Sequence, residues 1–212
     1  MEIYSLYSNF LSQQITNLLP YFNINEDILT KYEANAVKRS DSLIKRLKTR
    51  DNTKFNIKIS WHLATFIYWL SREIWENEGN IDECAALFCL NKLLNSIDLF
   101  YEIDMPEAFF LGGHTSGQVF AKANYKNFLV TYQNCTIGRN LNDAPTLGKY
   151  NVLYPGSSVI GNCSLGDNVI LGPGVQVVDR DIEDNTMLKL NDNHCIENYK
   201  LHKIHALRFF QI

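Results

Sequence analysis

The sequence lacks the features that export and membrane insertion require. Its first ten residues contain neither a basic stretch nor an apolar run, so we expect no signal peptide. The most apolar stretch, Trp61 to Leu70, is much shorter than the ~18 uninterrupted apolar residues of a membrane span. We therefore expect a cytoplasmic protein that does not enter a membrane.

Excess positive charge and paired metal-binding cysteines are also missing. A net charge of -3 gives no electrostatic reason to expect nucleic-acid binding, and the short basic cluster from Lys45 to Arg50 is interpreted as a solvated helix end. The cysteines form an odd set without paired ligand spacing, so we expect reduced thiols. His202 and His205 have the best spacing for a metal, but no cysteine or carboxylate completes a recognisable set with them, and we expect no metal.

The first hundred residues have the period of amphipathic helices. Apolar residues recur at three- and four-residue steps from Leu63 to Ile74 and again from Leu87 to Ile97, which places them on one helix face. A turn that contains Gly79 separates these two helices. Two earlier helices are predicted, over about Ser8–Leu19 and Asp27–Thr49.

Beyond Pro106 the pattern changes to a period of six. A branched aliphatic residue recurs at every sixth position, at Leu147, Leu153, Val159, Leu165, Leu171 and Val177. A helix repeats every 3.6 residues and a strand every two, so neither explains this period. A fixed period predicts a solenoid, and three six-residue flats make one triangular coil of a left-handed parallel β-helix.

An interruption of the repeat predicts a projecting loop. The phase continues upstream at less regular positions, namely Val119, Tyr125, Thr131 and Ile137. The step from Ile137 to Leu147 is ten residues instead of six, so four extra residues must leave the coil between Arg139 and Thr146. A short polar loop on a rigid scaffold is a good place for a binding site.

These patterns predict an α+β protein in which an N-terminal α-helical domain precedes a left-handed parallel β-helix. The predicted boundaries are residues 1–105 for the helical domain, 106–190 for the β-helix and 191–212 for a C-terminal tail.

Residues 60–190 resemble the serine acetyltransferase branch of the hexapeptide-repeat acyltransferases. The specific part is the segment from His114 to Val119, which resembles that family's catalytic histidine followed by a small residue, a glycine and a hydrophobic segment. Residues 133–138 resemble the start of the next coil, and residues 91–101 resemble the helix that leads into the β-helix. The resemblance implies an O-acetyltransferase with acetyl-CoA as co-substrate. It also implies a homotrimer, or a dimer of trimers, with active sites between subunits.

The resemblance also assigns roles to individual residues. His114 would be the general base, since a histidine pKa lies near working pH; a structural histidine at the solenoid entrance is the alternative. Asp104 would hold the imidazole ring in position, with Glu107 as the alternative carboxylate. Small residues that let the pantetheine arm of acetyl-CoA approach would be Gly156, Ser157 and Gly174.

The chain departs from this family at two places. The extruded loop of those enzymes carries a histidine that helps to bind the amino acid, but this loop reads Asp143, Ala144, Pro145. Residues 191–198 replace a C-terminal segment that helps to form the family's CoA site. The acceptor is therefore expected to be either L-serine or a sugar, free or part of a surface polysaccharide, and the missing histidine favours an acceptor other than serine. Asp143 would suit sugar hydroxyls, and Arg139 would supply positive charge if it folds inward.

Two other classes of function are compatible with a β-helix. One is a non-catalytic scaffold or assembly subunit, against which the pairing of His114 with Gly117 argues. The other is a metal-dependent hydratase of the γ-carbonic-anhydrase type. It would need three histidines from neighbouring coils, and the repeat from Val119 to Val177 contains none.

Overall fold

The α+β architecture and the β-helix of about four turns are confirmed. The structure is a computed structural model that describes residues 5–48, 54–112 and 116–211. Four helices come first: α1 (Ser5–Leu18), α2 (Glu26–Lys45), α3 (Ser60–Glu78) and α4 (Asp82–Asn95). In this described part of the chain, no helix is both long and apolar enough to cross a membrane.

The ends of the helices follow from local chemistry. Asn25 caps α2 by accepting a 3.0 Å hydrogen bond from the backbone N–H of Asp27. Gly79, at φ 81°, ends α3 in a conformation that side chains disfavour. The second helix stops at Lys45, short of the predicted end, because Leu47 pairs instead with Phe210 near the C-terminus.

The strands that follow are short and form three parallel flats. The first eight are β1 (Ile97–Leu99), β2 (Phe109–Leu111), β3 (Gln118–Phe120), β4 (Asn124–Tyr125), β5 (Leu129–Thr131), β6 (Thr136–Gly138), β7 (Thr146–Leu147) and β8 (Val152–Leu153). The remaining six are β9 (Ser158–Ile160), β10 (Ser164–Leu165), β11 (Ile170–Leu171), β12 (Gln176–Val178), β13 (Thr186–Leu190) and β14 (Ile196–Lys200).

Away from its ends, each flat is a sheet that takes every third strand. The five-stranded sheet has the order β1-β3-β6-β9-β12, the three-stranded sheet β10-β7-β4, and the six-stranded sheet β14-β13-β11-β8-β5-β2. All pairings among named strands are parallel except that of β13 with β14. This is the topology of a solenoid, in which each strand stacks on the strand one coil earlier.

The residues of the six-residue repeat fill the interior of the coils. All six predicted aliphatic positions from Leu147 to Val177 are buried. They stack in register; Ile137, Val159 and Val177, for example, form one inward row of the five-stranded sheet. The residues four places later are buried at the corners, except Asp181, which is exposed where the repeat ends.

The predicted phase at Val119 is wrong by one residue. Val119 faces outward and is 39% exposed, while Phe120 is buried and pairs with Ile137. The reason is that the step from Phe120 to Tyr125, the next inward residue, is five residues, one fewer than the repeat of six. A strand shifted by one residue presents its other face to the core.

The helical part and the β-helix share one continuous core. The Tyr68 hydroxyl donates to the backbone oxygen of Ile103 at 2.6 Å, and the rings of Trp61 and Phe110 pack edge to face. Strand β1 follows α4 directly and already belongs to the five-stranded sheet. The buried residues of both parts form one hydrophobic cluster. The division of the chain at residues 105 and 190 therefore stays a prediction.

Close stacking of glycines makes the coils sensitive to a single methyl group. A Cβ atom at Gly148 would lie 2.4 Å from the backbone oxygen of Gly166 on the next coil. We expect Gly148→Ala to lower the free energy of unfolding by about 1–3 kcal/mol, the usual cost of overpacking against atoms that cannot move aside. Urea denaturation measures this change.

Gly138→Ala is the matched control, because a Cβ atom there meets nothing closer than 3.4 Å. It should change the free energy of unfolding by less than about 0.5 kcal/mol. Equal effects of the two substitutions would contradict the stacking argument.

Candidate functional site

One corner of the β-helix has a glycine or an asparagine at positive φ on each of four coils, namely Gly117, Asn134, Gly156 and Gly174. This glycine corner joins the six-stranded to the five-stranded sheet and comprises residues 112, 116–117, 132–135, 154–157 and 172–175. Backbone hydrogen bonds connect its coils: Asn134 N–H donates to Ser116 at 2.7 Å, Gly156 N–H to Gln133 at 3.0 Å, and Gly174 N–H to Pro155 at 3.0 Å. The corner residues therefore form a straight column along the solenoid.

His114 lies outside the described residues, but the residues on either side of it belong to this corner. Gly112 N–H donates to the backbone oxygen of Thr131 at 2.7 Å. On the other side, Gly117 has φ 67°, and a Cβ atom there would lie 2.5 Å from Oδ1 of Asn134. The glycine that the sequence motif requires is thus needed for both its conformation and its close packing.

Gln118 joins the two flanks of this segment, a role that the repeat pattern of the sequence does not predict. Its side chain is fully buried, and Nε2 donates to the backbone oxygen of Gly112 at 2.9 Å. Its Oε1 accepts a hydrogen bond from the Thr131 hydroxyl at 2.7 Å. The six-residue repeat predicts apolar residues inside the coils, so it does not predict a buried glutamine. The satisfied amide holds both ends of the segment in one geometry.

The predicted donor-site residues lie further along the same corner. Gly156 and Gly174 have φ 72° and 71° and carry no side chain toward the corner surface. Ser157 is fully buried, with its hydroxyl 3.6 Å from the thiol of Cys135 inside the coil. Its predicted role therefore concerns its small size rather than its hydroxyl. Burial raises the pKa of the Cys135 thiol, so this cysteine is not an activated nucleophile.

The loop after β6 leaves the coil as predicted, at the opposite edge of the five-stranded sheet. Asn140 and Asp143 close it with two reciprocal 3.0 Å backbone hydrogen bonds. Arg139 does not fold inward, because its guanidinium donates to the backbone oxygen of Asn142 at 3.2 Å. Asp143 is exposed, and Leu141 at the tip is 92% exposed.

A shallow pocket of about 270 Å³ lies beside this loop. Its lining includes Glu102, Asp104, Lys122, Asn124 and Ala144, and we call it the loop-corner pocket. The structure thus brings Asp104 together with Ala144 but leaves Asp143 outside the pocket lining. The Asp104 carboxylate is 87% exposed and lies 3.5 Å from Nη2 of Arg72. Glu107, the alternative carboxylate, pairs instead with Arg46 at 3.1 Å.

One chain does not bring the two groups of predicted residues together. Gly156, Ser157 and Gly174 lie at the edge where strands of the five-stranded sheet begin, and Asp104 and Ala144 lie where those strands end. A three-residue strand at ~3.3 Å per residue separates these edges by about 10 Å. Among residues 5–48, 54–112 and 116–211, no group of three or more His, Cys, Asp or Glu side chains is placed to hold a metal ion.

Comparison with known proteins supports the sequence resemblance at the level of fold. Residues 144–178 match the model of the bacterial transferase hexapeptide family, described as six repeats. No curated protein has significant sequence similarity to the chain.

Three solved structures show how far the similarity extends. The serine acetyltransferase of Neisseria gonorrhoeae has a TM-score of 0.74 and 13% identity, over 96% of this chain and 81% of its own. Serine acetyltransferase isoform 3 from Entamoeba histolytica, solved with cysteine, has a TM-score of 0.65 and 18% identity, over 94% of this chain and 73% of its own. The serine acetyltransferase of Brucella abortus, solved with coenzyme A, has a TM-score of 0.69 and 15% identity, over 93% of this chain and 83% of its own. The chain therefore contains a bacterial transferase hexapeptide region and has the fold that these serine acetyltransferases share.

Proposed function

We propose that the protein is an acetyl-CoA-dependent O-acetyltransferase that acts on a small hydroxylated acceptor. The observation that carries the proposal is the glycine corner, in which the flanks of His114 and the glycines Gly156 and Gly174 form one column. The corner extends about 14 Å over three coil spacings of ~4.8 Å. An extended thioester ligand fits such a column, with its reactive end at the His114 segment.

Acetyl-CoA, the acetyl donor, would bind mainly to backbone groups that the glycines leave accessible. At Gly156 and Gly174 the corner surface has no Cβ atoms, so the pantetheine arm of acetyl-CoA can approach the backbone closely. A serine acetyltransferase of the same fold has been solved with coenzyme A, which supports this assignment. The cysteines that the structure describes are free thiols, which suits a protein of the reducing cytoplasm.

The transfer step needs a base and a fixed acceptor. In the proposed mechanism His114 removes the acceptor hydroxyl proton as the oxygen attacks the thioester carbonyl carbon. The carbon–sulfur bond then breaks, and the proton passes from His114 to the CoA thiolate as it leaves. Asp104 of a neighbouring copy is proposed to hold the ring of His114 in the required tautomer, because within one chain Asp104 lies at the other edge of the five-stranded sheet.

The acceptor is proposed to bind at the loop-corner pocket. Its lining offers two carboxylates, from Glu102 and Asp104, and the Lys122 ammonium, which already contacts Glu102. Carboxylates accept hydrogen bonds from hydroxyl groups but repel the carboxylate of an amino acid. Because Ala144 occupies the loop position facing this pocket, we favour a sugar-type acceptor over L-serine.

A trimer would bring the two sites together. The outer face of the five-stranded sheet carries an uncharged row of Gly138, Ile160 and Val178, and Val178 is 50% exposed. Packing such faces between copies covers this row and closes a three-fold assembly. It would also place the glycine corner of one copy near the loop-corner pocket of the next.

We expect His114→Ala to lower the rate of transfer by ~10²–10⁴-fold while acetyl-CoA binding is retained, because a lost general base costs about this much. The measurement is release of free CoA thiol from acetyl-CoA with a panel of sugars and amino acids. His202→Ala, at an exposed histidine, is the control and should leave the rate unchanged. Equal losses of CoA binding and rate would indicate a structural histidine.

We expect the unmodified protein to have a higher kcat/KM for a sugar acceptor than for L-serine, and Ala144→His to raise the value for L-serine. The added imidazolium would supply the cation that a carboxylate needs at this pocket. Leu141→His, at the exposed loop tip, is the matched control. Efficient acetylation of L-serine by the unmodified protein would show that the loop histidine is dispensable.

We expect light scattering to give three or six chain masses at micromolar concentration. Val178→Asp should reduce the assembled fraction, because it puts a charge into the apolar row, whereas Leu141→Asp at the loop tip should not. A monomeric wild-type protein would contradict the trimer and the shared site.

A further inference from the structure

The C-terminal segment is an ordered part of the structure. We call residues 201–211 the C-terminal strap; it contains a 3-10 helix, His205–Arg208. The backbone N–H of Leu201 donates to Asn185 at 2.7 Å, and that of Gln211 donates to Arg46 at 2.7 Å. Phe210 is fully buried. The strap therefore crosses from the last coil of the β-helix to the end of α2 along a fixed path.

A basic pocket of about 810 Å³ lies along this strap. The cations in its lining are Lys48, Lys200, Lys203 and Arg208, and the aliphatic side chains of Ile204 and Leu207 also line it. No aspartate or glutamate is among the lining residues. Within the described part of the chain, none of the four cations forms a salt bridge. A protein with net charge -3 thus concentrates unneutralised positive charge at one concave site.

The ammonium groups of Lys48 and Lys200 donate hydrogen bonds to backbone oxygens. Lys48 Nζ donates to the oxygen of Leu207 at 3.0 Å, and Lys200 Nζ donates to that of Asp184 at 3.3 Å. These bonds hold the two lysines at the pocket without cancelling their charge. A multiply charged anion would satisfy the remaining donor capacity of these cations.

The aliphatic part of the lining indicates what else the ligand carries. Ile204 is 39% exposed, although the strap around it is fixed at both ends. A bare phosphate ion would leave this surface in water, whereas a ligand with an attached ring would cover it. The volume is within the ~300–1,000 Å³ typical of small-molecule sites.

We propose that the basic pocket binds a phosphate ester with an attached ring system, of the nucleoside diphosphate class, at a site separate from that of acetyl transfer. The phosphates lie among Lys48, Lys200, Lys203 and Arg208, and the nucleoside covers Ile204 and Leu207. None of the lining residues belongs to the glycine corner or to the loop-corner pocket, so the proposal does not depend on the proposed function. The pocket does border the glycine corner, because His205 in its lining contacts Tyr154, and the test therefore includes CoA.

His205 provides a spectroscopic reporter for the site. Its Nε2 lies 2.9 Å from the Tyr154 hydroxyl, and its ring packs edge to face with that of Phe209. Burial, and then the charge of Arg208, lower the pKa of His205. An anion bound to Arg208 would offset the second effect, so binding should raise the pKa of His205 as followed by NMR.

The test is calorimetric titration of the full chain with ADP, with saturating CoA present to fill a donor site. We expect one ADP per chain. The double variant Lys203→Ala/Arg208→Ala should bind ADP about tenfold more weakly or worse, which is about 1.4 kcal/mol. Lys126→Ala, at an exposed lysine of the β-helix, should bind like the wild type. Pyrophosphate should bind more weakly than ADP, because it lacks the ring system.

Several results would overturn the proposal. One is no ADP binding, or equal binding by wild type and double variant. Another is ADP binding that saturating CoA abolishes, which would place the nucleotide in the donor groove. A third is binding to phosphatidylglycerol vesicles without any binding of ADP, which would assign the phosphate chemistry to a lipid surface. Loss of transfer activity in His114→Ala has no bearing on these outcomes.

Discussion

Backbone hydrogen bonds between successive coils are the interaction on which the rest of the molecule depends. The parallel strands stacked from β2 to β12 have two or three residues each, too few to be stable alone, and each is held by the coil before and after it. The bonds form only if every coil keeps the same inward residues in register. Inward rows such as Ile137, Val159 and Val177 provide that register.

This constraint leaves the corners as the part of the coil that can vary, and the two corners of the five-stranded sheet differ. At the glycine corner the step between inward residues is nine on the first coil, from Leu111 to Phe120, and six on the next three, for example from Leu153 to Val159. At the other corner it is five from Phe120 to Tyr125 and ten from Ile137 to Leu147. The three equal steps make a straight groove that suits an extended donor. A variable corner makes a pocket and a loop whose lining can change without disturbing the sheets.

The helices and the strap both pack against the six-stranded sheet, where the ring of Phe110 contacts Trp61 of α3 and Phe209 of the strap. Tyr68 and Trp61 in α3 contact the chain on either side of the entrance to the β-helix. In the strap, Phe210 packs on Phe128, which itself stacks on Tyr150 of the next coil. Because Leu47 also pairs with Phe210, the end of α2, the strap and the six-stranded sheet meet at one junction. The segment predicted as a tail is therefore built into the core.

The sequence by itself determined the helices after residue 60, the β-helix and the projecting loop, because inward positions must recur at the period of the structure they fill. Leu147 to Val177 could be assigned from that period alone. The tertiary structure decided what the period does not encode. Phe120 replaces Val119 inside because one corner is a residue shorter, and the buried amide of Gln118 joins the flanks of the His114 segment. Contacts between residues far apart in the chain decide the path of the strap and place Asp104 at one edge of the five-stranded sheet. A local sequence pattern does not predict such contacts.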